Sequence, residues 1–224
     1  MKRPCVSLLA ALAIATLCPS GAAAQTTAPA SSFPFAGRLS IGAIVGAASV
    51  QNIGGALGGE ISYTVTDAID IFGEGVGFQD LTTRRQIDRM PIITSALQSS
   101  QGKTATGTLT APAGYGGGGV RVMLMQGRSL RPYVAFAAGS ARIALTPAFT
   151  LGGTDVTASL SQYGIALGRD LTGDISAAAF GGGGGVRINK PRFYIDGGVR
   201  LTSIRTPDQP TNVLRGELRA GLRF

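Results

Sequence analysis

Val213-Leu214-Arg215-Gly216-Glu217-Leu218-Arg219-Ala220-Gly221-Leu222-Arg223-Phe224 ends the chain, and its reading decides the fold. Successive side chains of a strand point to opposite faces. Leu214, Gly216, Leu218, Ala220, Leu222 and Phe224 therefore share one face, and Arg215, Glu217, Arg219, Gly221 and Arg223 share the other. A soluble sheet turns the ionic face to water and the apolar face to a core. A barrel in a bilayer turns the apolar face to lipid and lines its interior with the ionic one. Alternation alone does not choose between these, so the rest of the chain must.

The N-terminus is the first companion. Lys2 and Arg3 precede an apolar run from Val6 to Leu17, and Ala22-Ala23-Ala24 follows. A basic start, a short apolar run and small residues form a secretory signal peptide, here residues 1–24 with cleavage before Gln25. The run is too short to span a bilayer as a helix. Leu17 stands before Cys18 where lipidation needs a small residue. Both cysteines, Cys5 and Cys18, leave with this segment, so the exported chain forms no disulfide. Loss of Lys2 and Arg3 takes the net charge from +8 to about +6. The arginines alternate with apolar residues and form no contiguous patch, which argues against nucleic acid.

Residues 25–36, rich in Thr, Ala, Ser and Pro, read as a disordered lead-in. Residues 37–224 read as one domain. Beyond the signal segment no apolar stretch is long enough for a membrane helix, so any span must be a closed barrel that leaves no backbone group unpaired.

Eight strands are predicted, near 38–47, 56–66, 69–79, 116–126, 131–143, 175–188, 192–204 and 213–224. The connections after the second, fourth and sixth are short. Those after the third and fifth (80–113 and 144–174) are long, and a short helix near 92–98 fits the first of them. An up-and-down barrel has short periplasmic turns and longer external loops, and this rhythm matches it. The third strand is the awkward one. Turning Glu74 inward also turns Phe72, Val76 and Phe78 inward and leaves glycines facing lipid. A carboxylate in lipid costs more, so Glu74 is placed inside.

These features resemble the small bacterial outer-membrane β-barrels of the OmpA/OmpX-like, eight-stranded kind. The signal peptide, the Gly-rich alternating strands and the final Phe224 carry the resemblance, which covers about residues 37–224. It implies an all-β, antiparallel, up-and-down transmembrane β-barrel in the bacterial outer membrane. It also implies that Leu218, Ala220, Leu222 and Phe224 form the C-terminal signal read by the barrel assembly machinery. The chain departs from the family pattern in having no Trp. Tyr63, Tyr133, Phe193 and Phe224 are then the candidates for its aromatic girdles.

An eight-stranded barrel is narrow and filled by its own side chains. The inward set is predicted to be Arg38, Glu60, Glu74, Arg121, Arg142, Arg187, Arg192, Asp196, Arg200, Arg215, Glu217, Arg219 and Arg223, four acids against nine arginines. Glu60, Glu74, Asp196 and Glu217 are expected to anchor ion pairs, with Arg38, Arg192 and Arg223 near water at the ends. The chain has no His, and no cluster has metal-ligand spacing. No catalytic residue, metal or cofactor is assigned. The His-dependent lipid A chemistry of some small barrels is closed to this chain. The glycine runs at 116–119 and 181–185 lead into strands rather than helices, so they read as close backbone approach and not as phosphate cradles.

The leading expectation is a non-enzymatic barrel with a plugged ionic interior. Its partners are outer-membrane lipids and lipopolysaccharide, which Arg84, Arg85 and Lys103 can reach, the assembly machinery, and an unnamed contact of the external loops. Two other readings stay open. The arginine excess fits a small anion-selective pore, and inverted faces would give a secreted, lipocalin-like binder of apolar ligands.

Overall fold

The computed structural model describes residues 38–125, 129–206 and 210–224. The predicted signal peptide and lead-in lie outside the described residues. The elements in chain order are β1 (Leu39–Ser49), β2 (Ile53–Thr66), β3 (Ile69–Phe78), α1 (Arg84–Gln101), β4 (Ala105–Thr110), β5 (Ala113–Met123), β6 (Leu130–Leu151), β7 (Thr154–Asp155), a 3-10 helix (Thr157–Tyr163), β8 (Gly173–Asn189), β9 (Phe193–Ile204) and β10 (Thr211–Arg223).

Eight of these strands form a ring. Each of β1, β2, β3, β5, β6, β8 and β9 pairs antiparallel with the next named, and so does β9 with β10. The ring closes where β10 pairs with β1, from Ser40 opposite Arg223 to Ser49 opposite Leu214. The architecture is thus an eight-stranded, up-and-down antiparallel barrel. None of the described helices is long and apolar enough to cross a membrane.

Ring closure needs strong curvature, and glycine permits it where strands crowd. A Cβ on Gly119 would stand 2.0 Å from the Phe136 carbonyl oxygen and 2.8 Å from Phe72 Cζ. Gly116, three residues earlier, faces open space. Gly119→Val is therefore expected to lose about 1–3 kcal/mol of unfolding free energy or to prevent folding. Gly116→Ala should stay within about 0.5 kcal/mol of the parent. Urea titration in phospholipid vesicles reads both.

The two long connections are more ordered than the sequence suggested. The helix is α1, which starts eight residues before the predicted 92. The Gln86 side chain accepts a hydrogen bond from the Thr83 N–H at 2.9 Å and so fixes the first turn. Pro91 lies inside the helix and removes one backbone donor there. Gly102, in the left-handed region at φ +63°, ends the helix, and its N–H donates to the Gln98 carbonyl at 2.8 Å. β6 does not stop near 143. It continues to Leu151, and its upper part, from Thr146 to Leu151, pairs with β4.

These segments share a core outside the ring. Met90, Leu97, Phe149, Leu151, Val156, Leu160 and Leu171 are buried together. Arg89 pairs with Asp170, and the Gln86 side-chain amide donates to the Asp170 carbonyl at 3.0 Å, tying one long connection to the other. All of this lies at one end of the barrel. At the opposite end the connections are the tight ones, Asp67-Ala68 among them.

The outer wall is apolar. Ile41, Val45, Leu57, Ile61, Phe136, Ile195, Val199, Leu201, Leu214, Leu218 and Leu222 are each about half exposed or more. On β10 the outward apolar positions run from Leu214 to Phe224. That is about 34 Å of strand, or roughly 26 Å of height at a ~40° tilt, the height of a bilayer's hydrocarbon band. Toward the loop end the outward positions turn polar, at Ser49, Ser176, Ser203 and Asn212.

Candidate functional site: the charged interior

Alternation that turns leucines outward turns the charges inward. Ten ionisable side chains with opposite signs in equal number are buried inside: Arg121, Arg187, Arg200, Arg215 and Arg219 with Glu60, Asp70, Glu74, Asp196 and Glu217. Asp70 was missed in the sequence, although it shares its face with Glu74 four residues on.

The network has two centres. Around Glu60, Arg121 Nη2 lies at 2.7 Å, Arg219 Nη1 at 3.1 Å and Arg187 Nη2 at 3.5 Å. Arg187 also donates through Nε and Nη2 to Asp196 Oδ2 at 3.1 and 3.0 Å, and through Nη1 to Asp70 at 3.0 Å. The Tyr133 hydroxyl donates to the other Asp196 oxygen at 2.9 Å. Around Glu74, Arg200 makes a close pair, Arg215 lies at 3.3 Å and Arg219 at 3.4 Å. Glu217 takes Arg219 closely and Arg215 Nε at 2.7 Å. Arg219 therefore joins the two centres.

Aromatic rings separate the guanidinium groups. Phe72 has Arg121 at 4.9 Å and Arg200 at 5.1 Å from its ring centre, and Arg187 stands 4.2 Å over Tyr194. A ring between two cations attracts both through its negative faces. This explains the third strand. Phe72 belongs inside with Glu74 because it packs between arginines, and the outward Gly73, Gly75 and Gly77 leave the wall thin.

Nearer the loop end the interior changes character. Ile44, Ala48, Val76, Phe78, Leu81, Ala111, Tyr115, Ile143, Leu145, Ile204 and Val213 form one buried apolar cluster. In the sequence only β3 foreshadows this layer, through Val76 and Phe78 on the face of Glu74; elsewhere an apolar residue on the inward face looks like any other.

Three expectations need correction. Arg142, predicted inside, points outward from β6, where its side chain is 70% exposed and pairs with Asp174. The inward residues there are Ala141 and Ile143, part of the apolar layer. The rule that charge turns inward holds only within the hydrocarbon band, and Arg142 lies at its upper limit. Tyr133, taken as a girdle residue, is inside and 3% exposed. Arg38, Arg192 and Arg223 are not buried, as expected of residues at the ends, and the buried network carries no excess of arginine because Arg142 points outward and Asp70 adds a fifth carboxylate.

The remaining predicted residues are placed as follows. Glu60, Glu74, Arg121, Arg187, Asp196, Arg200, Arg215, Glu217 and Arg219 meet in the interior. Leu218, Ala220, Leu222 and Phe224 lie on the outer face, and the Phe224 N–H donates to the Leu39 carbonyl at 2.9 Å. Among the described residues no group of three or more His, Cys, Asp or Glu side chains is arranged to hold a metal ion.

No protein-family model matches the chain, and neither does any curated protein. Among solved structures it is similar to neisserial surface protein A, at 16% identity and a TM-score of 0.48, covering 83% of this chain and 94% of that one. It is also similar to the N-terminal β-barrel domain of Pseudomonas aeruginosa OprF, at 15% identity and a TM-score of 0.48, covering 84% and 98%. A third is Ail, the attachment invasion locus protein of Yersinia pestis, at 13% identity and a TM-score of 0.44, covering 84% and 97%. The ring of pairings, the apolar wall and the enclosed charges carry the architecture without them: the fold is an eight-stranded, up-and-down transmembrane β-barrel.

Proposed function

We propose that this chain is a non-enzymatic integral protein of the bacterial outer membrane, a sealed barrel that presents its long connections outside. The observation that carries this is the matched set of five arginines and five carboxylates under an apolar layer. Matched charges bind one another rather than a passing ion, and the apolar layer excludes a water column. This disfavours the anion-selective pore, which rested on an arginine excess. The lipocalin-like reading is disfavoured by the burial of the charges in place of the leucines.

In this reading residues 1–24 are the export signal, 25–36 a lead-in and 37–224 the barrel. Leu218, Ala220, Leu222 and Phe224, on the outer face of the closing strand, form the signal for the assembly machinery. Arg84, Arg85, Lys103 and Arg142 stand at the loop end, where the phosphates of lipopolysaccharide lie. Glu60, Glu74, Asp196 and Glu217 fix the arginines and hold the wall round.

Planar-bilayer recording on the refolded chain tests the sealed interior. No unitary steps are expected at single-channel sensitivity, and stable anion-selective steps would refute it. Heat-modifiable migration on a detergent gel tests the barrel separately.

A further inference from the structure

β4 is an end strand, paired with β6 alone. On its paired side the Thr104 carbonyl accepts from the Gly152 N–H at 2.8 Å, and the Pro112 carbonyl from the Ala144 N–H at 2.9 Å. Backbone groups of alternate residues face alternate edges in an antiparallel ladder. Thr106, Thr108 and Thr110 therefore face β6, while Ala105, Gly107, Leu109 and Ala111 face away. At Ala111 this outer edge is closed. Its carbonyl accepts from the Leu81 N–H at 2.8 Å, and its N–H donates to Asp80 Oδ1 at 3.0 Å. At Leu109, Gly107 and Ala105 the same groups have no hydrogen bond among the described residues.

Beside the open edge lies a groove of about 440 Å³, lined by Ile87, Met90, Pro91 and Thr94 of α1 and by Gly107 and Leu109 of β4. Proteins usually blunt a free edge with charge, proline or a bulge. Ala105-Thr106-Gly107-Thr108-Leu109-Thr110 has no charge and no proline. Charges stand at its two ends instead, with Lys103 at one and Arg84 and Arg85 near the other, where Asp88 is paired with Arg84 and Asp80 is engaged by Thr82 and Ala111.

We propose that this edge docks an extended polypeptide of a partner protein, added antiparallel to β4. Its alternate apolar side chains enter the groove, and its acidic ends meet Lys103 and Arg85. Donors and acceptors repeating every second residue fit a polypeptide backbone rather than a sugar or a lipid. A second copy of this chain is a poor occupant. Antiparallel self-pairing about Gly107 sets Lys103 opposite Ala111, at the end where Asp80 and Asp88 are already engaged and Arg85 remains as a like charge, and parallel self-pairing sets Lys103 against itself. The inference deepens the surface-contact reading above and rests on it.

The test uses the full chain in lipid nanodiscs and a fluorescein-labelled peptide of alternating Val and Thr with Asp at each end. Its valines share the groove face with Gly107 and Leu109, so their N–H groups point at β4. N-methylation of the valines should weaken binding about ten-fold or more, and N-methylation of the threonines should change it little. Thr108→Glu, at an exposed position, should weaken the acidic probe. Amide exchange at Gly107 and Leu109 should slow only when the peptide is present. Equal binding of the parent and Val-methylated peptides, or no binding, would overturn the proposal. So would protection of both amides in a peptide-free dimer, which would assign the edge to a second copy. Heat-modifiable migration of the same sample shows whether the barrel itself is intact, so the two readings fail separately.

Discussion

Glu74→Ala is expected to cost about 3–5 kcal/mol of unfolding free energy, the range for removing one partner from a buried ion pair. Glu74 faces Arg200, Arg215 and Arg219, and its side chain has no exposed surface. Without it the interior holds five guanidinium groups against four carboxylates, and Glu217 alone remains for Arg200 and Arg215, while Arg219 keeps Glu217 and Glu60. Water does not reach the site freely, so solvation does not replace the lost partner. Guanidinium titration of the refolded barrel in vesicles measures the loss. Arg142→Ala supplies the contrast. Its pair with Asp174 is exposed on both sides, and the change should leave the unfolding midpoint close to that of the parent. Comparable losses at the two positions would contradict the division into a sealed network and an outer rim.

Leu218→Arg should cost about 2–4 kcal/mol, because a cation on the lipid face near the middle of the band loses its hydration. Leu218 is 61% exposed and lies opposite Val45 and Gly197 on the flanking strands, so no protein group stands near enough to compensate. Asn212→Arg, on the same face of the same strand but above the band, should cost about 0–1 kcal/mol. The difference between two arginines on one face separates lipid from water as the surrounding medium. In a soluble barrel both sites would tolerate the charge equally.

Most of the ring was legible because one physical rule, period-two alternation, governs every residue within the hydrocarbon band. Glu217 and Arg219 on the last strand, Arg187 on β8 and Asp196 and Arg200 on β9 follow it without exception. The rule fails outside that band. Arg142 alternates correctly with its neighbours, yet its face was assigned by a charge argument that has no force above the lipid. Tyr133 was misplaced with it, since one inverted strand inverts every residue on it.

Long-range packing was the other blind spot. Nothing local to Ala105–Thr110 or Thr146–Leu151 says that these segments pair; Thr110 and Thr146 stand 36 positions apart. The helix from Arg84 was read as starting only after Pro91. The Thr83–Gln86 start signal lay in the sequence, upstream of it. The apolar layer inside the loop end was legible only on β3, where Val76 and Phe78 follow Glu74 inward; Ile204 or Val213 is as acceptable to lipid as to a core.

The chain has no Trp, so a single substitution supplies a clean probe of what covers the wall. Leu218→Trp in vesicles of bromine-labelled acyl chains should emit in the blue and be strongly quenched by the bromines, while aqueous iodide leaves it untouched. Emission that iodide quenches and brominated lipid does not would place that face in water. An indole reached by neither would place it in a protein core, and either outcome would contradict a barrel whose outer surface is solvated by hydrocarbon.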